Sequence, residues 1–118
     1  MITLEKVLGI HDTLSLVGQC GEGIRDMNLL NSAVDGQAWY GTAFEQYCHT
    51  SYCINSYHVF VDGNKRTAFI VLKRLEEYGF LFDDDRLCST ILYFAEYSGA
   101  LSKEDFFAEV KRCLIDTP

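Results

Sequence analysis

A chain of 118 residues is long enough to bury a core without metal or disulfide staples and short for two ordinary domains, so one domain over 1–118 is expected. A hydrophobic fraction of 48% with 14% aromatics excludes disorder, and no apolar run is long enough to span a membrane. The net charge of −7 disfavours a nucleic-acid partner, and with it an RNA nuclease, because phosphate contacts need clustered Lys and Arg.

The first residues enter a periodic pattern directly, with no charged n-region, apolar h-region or cleavage site, so a cytoplasmic location is expected. From Leu4, the residues Val7, Leu8, His11 and Leu14 recur at helical steps, which predicts a helix ending near Val17. Three glycines among Gly18 to Gly23 predict a loop. Asp26 reads as the N-cap of a helix over Met27 to Val34. The aromatic-rich stretch from Ala38 to Tyr57 predicts one long, mostly buried helix, weakened near its start by Gly41 and Thr42.

His58 to Gly63 interrupts that pattern, and Asn64 opens another whose stripe of Ala68, Phe69, Val71, Leu72 and Leu75 runs to Tyr78, with Gly79 as its stop. Asp83, Asp84 and Asp85 read as the acidic first turn of a further helix carrying Leu87, Ile91, Phe94 and Ala95, in preference to a metal site. Ser98 to Ala100 breaks it. Ser102 then caps a last helix with Phe106, Phe107, Val110 and Leu114 on its apolar face. The expected fold is all-α, with six helices. Gly79 to Phe82 has extended character but no evident partner strand.

The five cysteines, Cys20, Cys48, Cys53, Cys88 and Cys113, are odd in number and scattered, and read as reduced, mostly buried thiols. Cys48 and Cys53, with His49 between them, can be imagined as metal ligands, but a five-residue offset on a helix turns the two thiols to different faces.

The chemistry concentrates in His58-Val59-Phe60-Val61-Asp62-Gly63-Asn64-Lys65-Arg66-Thr67, at the junction of a loop and a helix. Free N–H groups at a helix N-terminus favour phosphate, and Lys65 and Arg66 add positive charge to an otherwise acidic chain. His58 has the chemistry of a general base for an attacking hydroxyl. Asp62 is suited to hold Mg²⁺ against phosphate oxygens. Gly63 allows close backbone approach, Asn64 donates hydrogen bonds, Lys65 supplies a point charge and Arg66 a bidentate fork. Phe60 and Val61 read as core anchors for the loop. Taken singly, Asp62-Gly63-Asn64 is an ordinary turn and cap, and a lone histidine is usually structural.

The segment from His58 to Arg66 resembles the Doc form of the Fic motif, H-x-F-x-D-G/A-N-K-R, continued by Thr67-Ala68. His11-Asp12, Gly23-Ile24-Arg25-Asp26 and Leu29-Leu30-x-Ser32-Ala33 are similar to the N-terminal pattern of the same family, so the resemblance reaches about Tyr78. It implies a six-helix Fic/Doc-type bundle with His58 as base, Asp62 as metal ligand and Asn64, Lys65 and Arg66 as phosphate binders. Fic proteins usually transfer AMP to a protein hydroxyl. Lys65, standing where their motif has glycine, implies the Doc-type alternative: transfer of the γ-phosphoryl group of ATP or another NTP, with Mg²⁺, to a translation factor such as elongation factor Tu. A catalytically inactive binding module is the reading outside enzymes.

The sequence departs from that pattern in two places. Val59 replaces the usual proline, and Cys48 to Tyr52 brings polar and aromatic residues where small apolar ones are common. The self-inhibiting S/T-x-x-x-E-G/N pattern is missing too, since Glu22-Gly23 is preceded four residues earlier by Gly18. The resemblance therefore implies control by an antitoxin of Phd type whose C-terminal segment binds as an amphipathic helix. Outside the motif, His11 reads as a structural hydrogen-bonding residue. Arg25 and Asp26 read as a cap and ion pair tying the first loop, with Arg25 also within range of a phosphate.

Overall fold

The computed structural model describes residues 1–118. Helix α1 (Leu4–Leu16) starts where the Thr3 side chain accepts the N–H of Lys6, and it buries Val7, Ile10, His11 and Leu14 along one stripe. Helix α2 (Met27–Asp35) is capped by Asp26 through the N–H of Leu29 and buries Leu30 and Ala33.

The predicted helix from Ala38 to Tyr57 is two pieces. A 3₁₀ turn (Gly36–Trp39) is separated from α3 (Ala43–Tyr57) by extended backbone at Tyr40 and Thr42, and the Thr42 side chain caps α3 at the N–H of Glu45. The break falls at Gly41 and Thr42 because threonine stabilises a helix better from the cap than from the interior.

Helix α3 forms the centre of the molecule, buried without interruption from Tyr47 to Asn55. Three of its buried side chains donate to carbonyls of its neighbours, while Asn55 Oδ1 and Ser56 Oγ are buried without a partner. Thr50 donates to Ala33 of α2 at 2.8 Å, Ser51 to Ala68 at 2.9 Å and Asn55 to Ile91 at 3.0 Å. Within the departure at Cys48 to Tyr52, Thr50 and Ser51 replace small apolar packing with interhelix hydrogen bonds, which are favourable once the donors are buried. Gly36 lies so close to the His49 ring that a Cβ would overlap it.

Helix α4 (Asn64–Lys73) packs against α3 and α1. Its pattern does continue to Tyr78, but as a 3₁₀ segment (Arg74–Tyr78), and Gly79 stops it at φ 94. Helix α5 (Asp84–Glu96) is capped by Asp83 at the N–H of Arg86, which is the role of the acidic run. Helix α6 (Lys103–Arg112) opens with a capping box of Ser102 and Asp105.

The extended segment after Gly79 does have a partner. Strand β1 (Leu81–Phe82) pairs antiparallel with β2 (Leu114–Asp116), Leu81 opposite Asp116 and Phe82 opposite Leu114. Leu114, expected on the last helix, belongs to this ribbon. The six helices and the ribbon enclose one continuous apolar core. Cys48, Cys53 and Cys113 are buried, Cys20 half-buried and Cys88 exposed, and none of the five is in a disulfide. Burial raises the Cys48 thiol and pushes that of Cys53 up to about 11, while burial also lowers His49. Neutral thiols are poor metal ligands, and no three metal-ligating side chains converge anywhere in the chain. No helix is long and apolar enough to cross a membrane.

Candidate active site

Two left-handed residues bound the motif loop: His58 at φ 51 ends α3, and Gly63 at φ 79 begins α4. Between them Val59 and Phe60 are fully buried, whereas Val61, read as a core anchor, is 64% exposed. The left-handed turn at His58 shifts the inward positions by one residue, so Val59 takes the anchoring place. Phe60 stacks on His11 with ring centroids 3.8 Å apart and planes 7° from parallel. His11 Nε2 donates to the carbonyl of Asp62 at 2.8 Å, which requires the proton on Nε2 because a carbonyl only accepts.

Asn64 uses its side chain inside the loop. Its Oδ1 accepts from Phe60 N and its Nδ2 donates to Phe60 O, both at 2.9 Å, and the residue is buried. The side chain thus clamps the loop, and the backbone N–H of Asn64 has no acceptor within the chain. Thr67, also buried, closes the first turn of α4 with its N–H on the carbonyl of Gly63 at 2.9 Å.

The glycine-rich segment lies alongside. The N–H groups of Arg25 and Asp26 donate to Val59 O at 2.8 and 3.1 Å, and that of Val61 to Gly23 O at 3.0 Å. Asp62 is gripped from both sides, Oδ2 accepting Gly21 N and Oδ1 accepting Gly63 N, each at 2.8 Å. The N–H of Gly21, then that of Gly63, hold the carboxyl below its ordinary value, and Arg66 adds to the effect. Arg25 forms no ion pair with Asp26. The carboxylate caps α2, and the guanidinium turns to the carbonyls of Tyr57 and His58.

Helix α4 differs from the other five in having no side-chain cap. The N–H groups of Asn64, Lys65 and Arg66 meet no acceptor within the chain. Neither Lys65 nor Arg66 pairs with a carboxylate; the four ion pairs use Lys73, Arg74 and Arg112. Arg66 instead donates through Nη1 to Gln19 O at 2.6 Å, which holds the guanidinium at the cleft while its remaining donors stay available. His58, Asp62, Gly63, Asn64, Lys65, Arg66, Gln19 and Val61 line one polar cleft of about 420 Å³. The His58 ring has no hydrogen-bond partner in the protein. The arrangement brings together an imidazole, a carboxylate, two unpaired cations and three free backbone donors at the positive end of a helix dipole.

Magnesium fits this donor set in one way. Asp62 is the single carboxylate of the cleft, and each of its oxygens has spent one lone pair on a backbone N–H. One carboxylate suits an ion shared with substrate phosphates and water, and it falls short of an all-protein cage.

Beside the cleft, across Gln19, Lys65 and Arg66, opens an apolar pocket of about 440 Å³ walled by Leu14, Phe69, Ile70, Ile91 and Leu92. Sequence reasoning missed Gln19, Gly21 and Val59. The glycine spacing indicated a loop there, but its contacts to Asp62 and Arg66 span more than forty residues.

Comparison with protein families matches residues 1–75 to the Fic/DOC family. No curated protein and no solved structure matches the chain. The match covers more than half of the sequence and contains the complete cleft-lining segment, and the chain therefore belongs to the Fic/Doc family.

Proposed function

We propose that the protein is a Doc-like toxin that transfers the γ-phosphoryl group of ATP or another NTP to a Ser or Thr hydroxyl of a translation factor such as elongation factor Tu. The observation that carries this reading is the uncapped start of α4 beside two unpaired cations in a chain of net charge −7. Free donors and unpaired cations in one cleft favour the phosphates of a nucleotide. Asn64, Lys65 and Arg66 receive them with their N–H groups, Lys65 as a point charge and Arg66 through its fork.

His58 accepts the proton of the target hydroxyl as its oxygen bonds to the γ-phosphorus, and the bond from that phosphorus to the bridging oxygen breaks, releasing the nucleoside diphosphate. Asp62 is the residue that would hold Mg²⁺. When bound, that ion neutralises charge on the phosphate oxygens. Asp62, held ionised by Gly21 and Gly63, is in the form a metal requires.

Control by an antitoxin helix of Phd type belongs to the same proposal. The apolar pocket beside Lys65 and Arg66 suits the apolar side chains of an amphipathic helix with an acidic residue towards the two cations. Membrane and nucleic acid have no part in this reading.

The test incubates the purified protein with elongation factor Tu, Mg²⁺ and ATP and reads the mass of the target. Gain of one phosphate, lost with His58→Ala, is the expected result, with a fall in rate of about 10²-fold or more. Gain of AMP establishes nucleotidyl transfer instead. Persistence of transfer in His58→Ala overturns the assignment of the base. No modification by the wild type favours another target or an inactive binding module.

A further inference from the structure

His58 is the only residue other than glycine with positive φ, at φ 51 and ψ 57. That position at a helix end usually belongs to glycine or asparagine, because a Cβ in the left-handed region crowds the following carbonyl. Such an end is normally closed by N–H groups beyond it bonding back to the last helical turn. Here the chain turns at His58, but neither His58 nor Val59 donates a hydrogen bond of good geometry back to α3, and the N–H of Phe60 is taken by Asn64 Oδ1. The local backbone therefore does not explain the conformation of the residue on which the proposed chemistry depends.

Arg25 closes the helix instead. Its Nε donates to His58 O and its Nη2 to Tyr57 O, each at 2.5 Å, so one planar fork spans two successive carbonyls at the end of α3. The base of this side chain is itself fixed, since the N–H of Arg25 donates to Val59 O at 2.8 Å. The cation also sits at the negative end of the α3 dipole, and no carboxylate competes for it. Arg25 does not line the polar cleft, whereas His58 does.

We infer that Arg25 is a positioning residue for His58: its fork holds the His58 backbone left-handed, and this directs the imidazole into the cleft while Val59 and Phe60 enter the core. Its side-chain partners are the main-chain carbonyls of Tyr57 and His58. The inference rests on the phosphoryl-transfer reading for its effect on rate, but the conformational clamp can be measured without it.

The experiment compares wild type, Arg25→Ala and Arg25→Lys in two readouts. Steady-state transfer gives kcat and the nucleotide KM; the one-bond Cα–Hα coupling of His58, by NMR, separates positive from negative φ. Arg25→Ala is expected to lower kcat about 10- to 100-fold with the nucleotide KM within about twofold, and to remove the positive-φ signature. Methylguanidinium added to Arg25→Ala restores part of the rate, and Arg25→Lys, with charge but no fork, falls between. A raised KM at unchanged kcat makes Arg25 a nucleotide ligand and overturns the proposal, as does an unchanged His58 coupling in Arg25→Ala. If Arg25→Ala does not fold, the same two measurements on Arg25→Lys decide. Absence of transfer by the wild type bears on the phosphoryl-transfer reading and its target alone, and the coupling still decides whether Arg25 holds His58.

Discussion

Gly63→Ala tests whether the start of α4 is as tightly constrained as its geometry implies. A Cβ built at Gly63 lies 2.7 Å from Cys20 Sγ and 2.8 Å from Cys20 Cβ, and the backbone there has φ +79. Two costs follow. The left-handed conformation penalises alanine by about 1–2 kcal/mol, and overlap with a neighbour that must move adds about 1–3 kcal/mol. The total, about 2–5 kcal/mol, is a large share of a small domain's stability. The two terms separate in a double-mutant cycle with Cys20→Gly, which removes both overlapping atoms and leaves the backbone cost. Urea denaturation followed by circular dichroism measures all four proteins. Gly63→Ala should cost only about 1–2 kcal/mol in the Cys20→Gly background, giving a coupling of about 1–3 kcal/mol. An equal cost in both backgrounds, or a cost below about 0.5 kcal/mol in the wild type, refutes the packing argument.

Asp62→Asn reports on the depressed carboxyl. A folded-state value below the unfolded one contributes stability that is complete above the unfolded value, about 3.9, and lost as pH falls through the folded one. The stability difference between wild type and variant should be flat above about pH 5 and shrink on acidification; a difference that grows towards low pH contradicts the two-sided N–H grip. His11→Phe keeps a ring against Phe60 but strands the Asp62 carbonyl, so denaturant titration should show a loss of about 1–3 kcal/mol. Stability within 0.5 kcal/mol of wild type, a range usual for substitutions that touch nothing (about ±0.5), would mean that this hydrogen bond contributes little.

What could be read along the chain lies within one helical turn. Asp26 and Ser102 bond N–H groups three residues on, and the apolar stripes of α1, α4, α5 and α6 recur at the helical step, so the elements and their inward faces were legible. Where a short-range signal was mixed, the reading slipped. Ala38 to Tyr57 kept its aromatic spacing through the break at Thr42, and a two-residue strand such as β1 has no period to detect. Val61 looked apolar enough for the core, but the left-handed turn at His58 put Val59 there.

The sequence by itself determined the helical class, the family and the cluster of His58, Asp62, Gly63, Lys65 and Arg66, because the spacing of these residues places them at one loop and helix start whatever the rest of the chain does. Only the tertiary structure decided how each is held: Asp62 by Gly21, Arg66 by Gln19, and the end of α3 by Arg25, across separations of 41, 47 and 33 residues. The reason is physical. Periodicity reports which side chains must leave water, but a buried or constrained polar group bonds to whichever backbone groups packing leaves unpaired, and those are defined only once the helices have met.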